Sequence, residues 1–242
     1  MMADVKLSKR LKRVASFLPK GAVFADIGSD HAYLPCYVCK NDQTAKAIAG
    51  EVNEGPYRSA VETVKSHNLE DQIDVRLGNG LHVLYHQEAR QVVIAGMGGS
   101  LIKSILNEGK DKLEITDQII AQPNVDARAV RIWLITNGYT ITDEDLVEEN
   151  GHFYEIIKSE WNANPSTPAT LDEQQLLFGP ILLLKKPYAF YKKWKAEAKK
   201  LERVIQQMKQ AKQSDQLKIN QFLQEKKWIA EVTNETNSID KS

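Results

Sequence analysis

The chain has 242 residues, of which 42% are hydrophobic and 26% are charged, with 32 basic and 32 acidic residues. This composition is typical of one large globular domain, or of one domain with a smaller appendage, and it excludes disorder of the whole chain. No stretch reaches the ~18–20 apolar residues of a membrane span. The basic N-terminus lacks the apolar core and cleavage site of a secretory signal, so a cytoplasmic protein is expected.

The charges are distributed unevenly along the chain. Residues 1–20 contain six basic residues and one acidic residue, and residues 185–212 contain ten basic and two acidic residues. Residues 107–160 instead contain twelve acidic and five basic residues. Two basic ends would allow the protein to bind a polyanion, although solvated, lysine-rich helix faces would produce the same pattern.

Short strand-like runs alternate with helical runs from about residue 20 to residue 138. We predict buried strands at 23–26, 46–52, 73–77, 92–95 and 118–122, and helices at 34–40, 56–68, 81–88, 100–106 and 127–137. This alternation indicates a parallel sheet with helices on both faces. Two more strand-like runs, 140–149 and 152–161, flank Asn150-Gly151, which predicts a β-hairpin.

The C-terminal part has a different pattern. Residues 162–170 are expected to form a linker, and 171–184 a helix. Apolar residues then recur with alternating steps of three and four, which is the spacing of a coiled-coil seam, at Tyr191, Trp194, Ala198, Leu201, Ile205 and Met208. Ser214-Asp215 would end this helix and cap a second one, with Ile219, Phe222 and Ile229 on its apolar face. We therefore expect an α/β domain in 1–164, a helical coiled-coil domain in 165–232 and a disordered tail in 233–242.

The first strand-end loop favours a cationic ligand. Ligands of an open parallel sheet bind at the carboxyl ends of its strands. A dinucleotide site would need G-x-G-x-x-G there, but of these glycines only Gly28 is present, and Asp26 would repel a pyrophosphate. The loop therefore argues against NAD or FAD. It suits S-adenosylmethionine, whose sulfonium and ammonium groups are cationic.

Three more loops at the ends of consecutive strands carry glycine or small polar residues. Glu51, in Gly50-Glu51-Val52-Asn53, can accept both hydroxyl hydrogen bonds of a ribose. Asn79-Gly80 follows the third strand, and Ala95-Gly96-Met97-Gly98 follows the fourth. Each cluster alone would be an ordinary β–α turn, but their coincidence at one sheet edge predicts a binding site.

These motifs together resemble one family. DIGSDHAYLP, AGEVN, VRLGNGL, VIAGMGG and QPN, followed by NGY and FYEII, are similar to the bacterial tRNA adenine-N1-methyltransferase family called TrmK. The resemblance runs from about Leu7 through the helical C-terminus. It implies a class I, Rossmann-like methyltransferase domain with a C-terminal coiled-coil extension. The implied reaction is transfer of a methyl group from S-adenosylmethionine to N1 of adenine 22 in tRNA.

The resemblance also implies roles for individual residues. The first cofactor motif is matched by Asp26, Gly28 and Asp30, with Ser29 between them, and Glu51 with Val52 and Asn53 would hold the ribose. The adenine of the cofactor would be bordered by Asn79, Gly80 and Leu81, although other members often have Asp where this chain has Asn79. The methionine part and the target base would be lined by Ala95, Gly96, Met97 and Gly98.

The loop after the fourth strand bears on which atom is methylated. AGMGG lacks the Asn/Asp-Pro-Pro-aromatic pattern with which enzymes grip an exocyclic amino group. A ring nitrogen already has an in-plane lone pair, so alignment supplies much of the catalysis. Asp30 is the candidate acceptor for the adenine 6-amino group, with Gln122 and Asn124 as positioning groups. His31 would either contact the base or cap the following helix.

Two basic surfaces would bind the tRNA. Lys9 and Arg10 would flank the active site, while phosphates farther away would be held by Lys192, Lys193, Lys199, Lys200 and Arg203. We expect a monomer, with a dimer left open, and neither a membrane nor a metal partner. Two rival functions remain at this stage: a methyltransferase of a small molecule or protein, and a non-catalytic RNA-binding module.

Several residues that could suggest other chemistry have simpler interpretations. Cys36 and Cys39 are predicted to be a buried structural pair, because no second pair exists to complete a zinc site. His82 and His86 lack the glutamate of a metalloprotease motif and are expected on the surface.

Overall fold

The computed structural model describes residues 5–162, 170–211 and 215–234. The chain divides into two compact units, Met1–Asp172 and Glu173–Ser242. The predicted domain boundary between residues 164 and 165, and nearly all of the predicted linker, lie outside the described residues. That boundary therefore stays a prediction.

The first unit is built on one seven-stranded sheet in the order β3-β2-β1-β4-β5-β7-β6. The strands are β1 (Val23–Ile27), β2 (Lys46–Glu51), β3 (Ile73–Leu77), β4 (Gln91–Gly98), β5 (Gln118–Val125), β6 (Tyr139–Glu149) and β7 (His152–Trp161). The first five are parallel, and β7 pairs antiparallel with both β5 and β6. The predicted parallel sheet with its terminal hairpin is confirmed. The strand order reverses between β1 and β4, which is where such sheets bind ligands.

Helices cover both faces of this sheet because successive strand residues alternate between two apolar layers. They are α1 (Lys9–Ala15), α2 (Tyr33–Asn41), α3 (Glu54–Ser66), α4 (Gly99–Glu108) and α5 (Ala127–Thr136). Phe24 of β1 packs in the layer of α1, α2 and α3. Its neighbour Ala25 packs in the layer of α4 and α5. The sheet edge that carries the four loops is thereby held between two helical layers.

The predicted helix over 81–88 is wrong. Only a short 3-10 helix forms, at Gly80–Val83, and the chain then runs irregularly to β4. Glu88 explains the difference, because its carboxylate forms a bidentate pair with Arg76 and also accepts the backbone N–H of Tyr85. Such side chain–backbone bonds compete with helical hydrogen bonds.

A buried ion-pair cluster joins α5 to the hairpin. The Arg131 side chain is fully buried, and its guanidinium donates to Glu144 of β6 at 2.8 Å and to Glu155 of β7. A buried charge is tolerated only when it is paired and hydrogen-bonded, and these contacts between α5 and the hairpin meet that requirement.

The second unit contains four helices among the described residues: α6 (Glu173–Phe178), α7 (Pro180–Lys185), α8 (Tyr188–Gln210) and α9 (Gln216–Asn234). The single helix predicted over 171–184 is wrong. It is interrupted at Gly179, whose φ of 91° is left-handed. Pro180, which has no N–H to donate, then begins α7 at a position where Pro is well tolerated.

The long helices α8 and α9 contact each other. Trp194 and Ile205 of the predicted seam are buried, as are Ile219 and Ile229 of the predicted apolar face of α9. Glu202 of α8 forms an ion pair with Lys226 of α9. The predicted cap of α9 is confirmed, because Asp215 Oδ1 accepts the N–H of Lys218 at 3.0 Å.

The end of α9 differs from the prediction. The helix continues through Thr233 and Asn234, two residues of the segment predicted to be disordered. Thr233 is buried, and its hydroxyl donates to the carbonyl of Ile229 at 2.7 Å. Residues 235–242, the remainder of that segment, lie outside the described residues.

The described parts of the chain contain neither a membrane-crossing helix nor a three-residue metal cluster. None of the helices there has the length and apolar character of a membrane span. No group of three His, Cys, Asp or Glu side chains is arranged there to hold a metal ion. Cys36 and Cys39 are buried, which confirms their structural interpretation, and burial raises the pKa of each thiol to about 12. His82 and His86 are exposed, as predicted.

Candidate active site

The loop between β1 and α2 has an unusual backbone. Gly28 has a φ of 71°, and three consecutive non-glycine residues follow in the left-handed region: Asp30 at 43°, His31 at 69° and Ala32 at 56°. Such conformations are unfavourable for L-residues and persist only where the surrounding structure imposes them, often at ligand sites. Asp tolerates this region better than most residues, whereas Ala gains nothing from it. The sequence pattern did not reveal this strain.

Two buried carboxylates lie at the ends of the adjacent strands β1 and β2. Asp26 accepts the hydroxyl of Ser29 at 2.7 Å, and Glu51 accepts the backbone N–H of Asp30. Burial raises the pKa of Asp26 to about 7; the Ser29 hydrogen bond and the charge of Arg10 lower it, whereas Glu51 raises it further. Burial also raises the pKa of Glu51, whereas the hydrogen bond from the Asp30 N–H lowers it. These acids would be stabilised by a cationic or hydroxyl-bearing ligand.

The residues predicted to hold the cofactor ribose and to border its adenine take two different positions. Val52, Asn53 and Asn79 are exposed at the loop edge. Leu81 instead is buried in the apolar layer of α4 and α5. The side chain of Leu81 is therefore a core group, and only its backbone remains available for the role that the resemblance implies.

The fourth strand extends farther than predicted. β4 continues through Gly98 rather than ending at Ala95, and β5 continues through Val125, so that Gln122-Pro123-Asn124 belongs to a strand and not to a loop. The register shifts around Gly96, whose φ is 81°. We call this irregularity the Gly96 bulge. It places Met97 with its side chain against Gly28.

Gln122 and Asn124 hold the Gly96 bulge on both sides. The Gly96 N–H donates to Gln122 Oε1 at 3.1 Å, and the Gly96 carbonyl accepts from Asn124 Nδ2 at 2.7 Å. Gln122 Nε2 also donates to Asn124 Oδ1 at 3.2 Å. Gln122 is completely buried, whereas Asn124 is exposed. Both residues, predicted as positioning groups, thus fix the backbone that faces the site.

Arg10 reaches this network from the N-terminal helix. Its Nη1 donates to Gln122 Oε1, and its guanidinium carbon lies 5.4 Å from the ring centre of Tyr154. Sequence reasoning assigned Arg10 to tRNA phosphates and missed this inward contact. It also missed Glu149, which accepts the backbone N–H of Lys9 at 2.7 Å and that of Arg10 at 3.4 Å. No local signal exists, because these partners lie more than 100 residues away in the chain.

His31 and Asp30 lie at the open side of the loop. The Asp30 side chain is 81% exposed, and its Oδ1 lies 3.3 Å from His31 Nε2. His31 Nδ1 lies 2.5 Å from the hydroxyl of Ser59 in α3, and the His31 ring is 5.3 Å from the ring of Tyr33. The N-cap of α2 is Ala32, which makes no side-chain cap bond. His31 therefore does not cap the helix, while contact with a base stays a prediction.

The candidate phosphate-binding residues of the second unit lie on α8. Lys199, Lys200 and Arg203 are exposed. Lys192 lies 5.3 Å from the ring centre of Tyr188, and Lys193 lies 4.6 Å from that of Trp194. Trp194 itself is buried and packs edge-on against Phe178 at 4.6 Å. It is thus a core residue rather than a surface for stacking bases.

The donor and acceptor set fits S-adenosylmethionine. The buried Asp26 and Glu51 supply acceptors for cationic groups and for a ribose diol, and the loop between β1 and α2 contains neither Lys nor Arg. The left-handed Gly28 and Gly96 allow backbone to approach a ligand closely. Asp26, Gly28 and Gly96 flank the reversal of strand order between β1 and β4, and Glu51 ends the neighbouring strand β2.

Comparisons with known proteins identify the family of this chain. A family model described as TrmK, tRNA (adenine(22)-N(1))-methyltransferase, matches residues 24–231. The Bacillus subtilis tRNA (adenine(22)-N(1))-methyltransferase is 43% identical over 218 residues, which are 90% of this chain and 92% of that protein. The crystal structure of the B. subtilis m1A22 tRNA methyltransferase TrmK is 40% identical with a TM-score of 0.86, covering 95% of this chain and 99% of that one.

A second solved structure adds a bound ligand. A Streptococcus pneumoniae protein solved in complex with S-adenosyl-L-methionine is 40% identical to this chain, with a TM-score of 0.84. The match covers 94% of this chain and all of that one. The similarity therefore extends over both units and not only over the sheet.

Proposed function

The chain belongs to the TrmK family of tRNA (adenine(22)-N(1))-methyltransferases, and we propose that its strand-end residues bind S-adenosylmethionine and position adenine 22 for methylation. The chain is an enzyme that transfers a methyl group from S-adenosylmethionine to N1 of an adenine in tRNA. We propose, in addition, the roles of individual residues, the use of particular basic side chains and a cytoplasmic location.

The pair of buried carboxylates is the observation that carries this assignment. Asp26 and Glu51 end neighbouring strands, and both are buried although neither forms an ion pair with a basic side chain in the described contacts. Buried carboxylates are costly unless a partner compensates them. A cationic ligand with a ribose supplies that partner: Asp26 would face the positive end, and Glu51 would accept the ribose hydroxyls.

The protein's contribution to the reaction is alignment and electrostatics. S-adenosylmethionine supplies an electrophilic methyl group when it is bound. The N1 lone pair of adenine lies in the ring plane, so no base is needed to activate it, and holding N1 in line with the methyl group lowers the barrier. A bond from N1 to carbon forms as the sulfur–carbon bond breaks, and the ring gains a positive charge. The exposed Asp30 carboxylate would accept a hydrogen bond from the 6-amino group and stabilise that charge.

The target adenine must leave the folded tRNA to reach this site. An enzyme that acts on a base exposes it and pays the cost of unstacking. Lys9 at the start of α1 and the exposed basic residues of α8 would contribute phosphate contacts that compensate this cost. Because tRNA is found in the cytoplasm, a tRNA substrate supports a cytoplasmic location for the enzyme.

Methylation of defined transcripts tests the proposal. The full chain would be incubated with S-adenosylmethionine and a tRNA transcript carrying adenine 22, and with the same transcript carrying guanine there. We expect a primer-extension stop at position 22 only in the first, because N1-methyladenine blocks base pairing, and we expect Asp26→Ala to abolish it at limiting cofactor. Methylation of both transcripts alike would contradict the position, and stops that persist in Asp26→Ala would remove that residue from the site.

A further inference from the structure

Arg10 is the one basic residue of the N-terminal helix whose described contacts turn it towards the candidate active site. Its Nη1 donates to Gln122 Oε1, the same oxygen that accepts the Gly96 N–H at 3.1 Å. A side chain added at Gly96 would lie 3.4 Å from Arg10 Nη1, so the guanidinium lies directly beside the bulge. Arg10 is half-buried, unlike Lys9 and Lys12, which are exposed.

The helix that carries Arg10 is fixed to the hairpin at both of its ends. Glu149 accepts the two first backbone N–H groups of α1, where a carboxylate is stabilised by the helix dipole. Arg13, one turn later, pairs with Asp145 and lies over the ring of Phe17 at 4.6 Å. The Glu149 bonds hold the backbone of Arg10 itself and so place its guanidinium independently of any tRNA, whereas the Arg13 pair lies one turn farther along the helix.

The hydrogen bonds of Gln122 explain how Arg10 would act. Gln122 is completely buried and has three partners: Arg10 and Gly96 at its oxygen, and Asn124 at its nitrogen. The charged donor makes this oxygen bond stronger than a neutral one. With Arg10 absent, one donor is lost and the Gln122 amide is held in its orientation less firmly. The Gly96 N–H that bonds to this amide is then supported less firmly too.

We propose that Arg10 is a positioning residue for methyl transfer, which acts through Gln122 to hold the Gly96 bulge in the shape that receives the target adenine. This inference deepens the proposed function and rests on it. It differs from a phosphate-binding role for Arg10, which would affect how tightly tRNA binds and not how fast the bound base reacts.

A double-mutant cycle tests the coupling. Arg10→Met keeps the length of the side chain but removes the charge and the donor, and Gln122→Ala removes the acceptor. We would measure the single-turnover rate constant at saturating tRNA and cofactor. Each variant should be slower by about 10- to 100-fold, as expected for a small misplacement of reacting groups. The double variant should be no slower than the slower single variant, because both changes break one unit. Arg10→Lys, which keeps a charged donor, should recover part of the rate.

Arg13→Met is the matched control, since it also frees one contact of α1 with the hairpin but touches neither Gln122 nor Gly96. It should leave the single-turnover rate within about threefold of wild type, well below the loss expected for a misplaced site. An equal loss in Arg13→Met would overturn the proposal in favour of simple helix docking. Arg10→Met could instead react at the normal rate but bind tRNA more weakly, with the slope of log binding constant against log salt concentration reduced by about one. That result would reassign Arg10 to contact with a phosphate.

Folding and the underlying function are checked separately. Thermal unfolding shows whether each variant is folded. If Arg10→Met is not folded, a double-mutant cycle of Arg10→Lys with Gln122→Ala replaces the cycle of Arg10→Met with Gln122→Ala. A wild-type protein that leaves adenine 22 unmethylated would contradict the proposed function itself. A wild type that methylates it, with additive Arg10 and Gln122 effects, would contradict only the positioning role.

Discussion

The two sides of the candidate active site are built in opposite ways. The side formed by β1 and β2 presents two buried acids, Asp26 and Glu51, on segments 25 residues apart in the chain. The side formed by β4 and β5 presents the Gly96 bulge, held by a buried amide, Gln122, and a guanidinium, Arg10, that comes from 112 residues away. The first side suits a cationic cofactor, and the second suits a neutral base.

The two sides of the site therefore depend on different parts of the fold. The acidic side needs only the sheet and the loop that follows β1, so its shape follows from local segments. The second side needs α1 to be docked on the β6–β7 hairpin, and the hairpin in turn needs its buried contact with α5. Changes to the hairpin should therefore affect the base side first.

The largest effect is expected from Arg131→Ala, which removes the support of the hairpin. It leaves Glu144 and Glu155 buried without their cation, which costs about 3–5 kcal/mol of folding free energy. Urea unfolding followed by circular dichroism measures this loss. Arg90→Ala is the control, because Arg90 and Asp117 form an exposed pair, whose loss should change the free energy of unfolding little. Equal losses in the two variants would show that the buried cluster does not support the hairpin.

The next effect concerns Asp30, whose side chain is exposed at the open side of the loop after β1. Asp30→Asn keeps a residue type that tolerates the left-handed φ of 43° and removes only the negative charge. If the charge stabilises the methylated ring, the single-turnover rate at saturating cofactor should fall by about 100-fold. Asp71→Asn, an exposed carboxylate at the opposite sheet edge, should leave the rate unchanged. A defect in cofactor affinity alone would assign Asp30 to the acidic side instead.

Asp26→Asn tests the acidic side directly. Loss of a charge-assisted contact should weaken S-adenosylmethionine binding by about 1.5–3 kcal/mol in calorimetry. Burial raises the pKa of Asp26 to about 7, so in the wild type the affinity for this cationic ligand should rise as the pH increases through about 7 and then level off. The affinity of Asp26→Asn should be flatter across this range. A wild-type affinity independent of pH from 5 to 8 would contradict a contact with the charged group.

The same carboxylate should reduce the stability of the ligand-free protein. Its folded pKa of about 7 lies above the ordinary value of 3.8, so the folded state retains a proton that the unfolded chain loses. The contribution of the Asp26 carboxyl group to the free energy of unfolding therefore falls as the pH rises from about 4 to about 7, and it stays constant above pH 7. We expect Asp26→Asn to melt at a higher temperature than wild type at pH 8, with the difference shrinking towards pH 4. A lower melting temperature at pH 8 would contradict this.

The smallest effect is expected on the second unit, outside both sides of the site. Lys199→Gln combined with Arg203→Gln should weaken tRNA binding by roughly a few-fold per residue and reduce the salt slope by about two. The single-turnover rate at saturating tRNA should not change. Lys209→Gln, an exposed lysine in the last turn of the same helix, is the control for overall charge. An equal effect of Lys209→Gln would show that no defined phosphate contact exists at Lys199 and Arg203.

The sequence by itself determined the sheet, the hairpin and the acidic side of the site. Short apolar runs predict the strands, and the Asn150-Gly151 turn predicts the hairpin. Both can be read from the sequence because each signal depends only on residues that are neighbours in the chain. Asp26, Gly28 and Glu51 could be identified because parallel strands bring their carboxyl ends to one edge. The missing glycines of a dinucleotide motif and the resemblance to TrmK then indicated the cofactor and the substrate.

Only the tertiary structure decided the rest. Glu88 pairs with Arg76 and prevents the helix predicted over 81–88, while the strained backbone from Asp30 to Ala32 is imposed by the fold around it. Arg10 looks like any surface cation of a basic helix. Its inward contact with Gln122 exists because Glu149 anchors the helix, and such long-range partners leave no periodicity or spacing in the sequence. The acidic side of the site thus follows from segments close in the chain, and the side proposed to receive the base is assembled by contacts between distant segments.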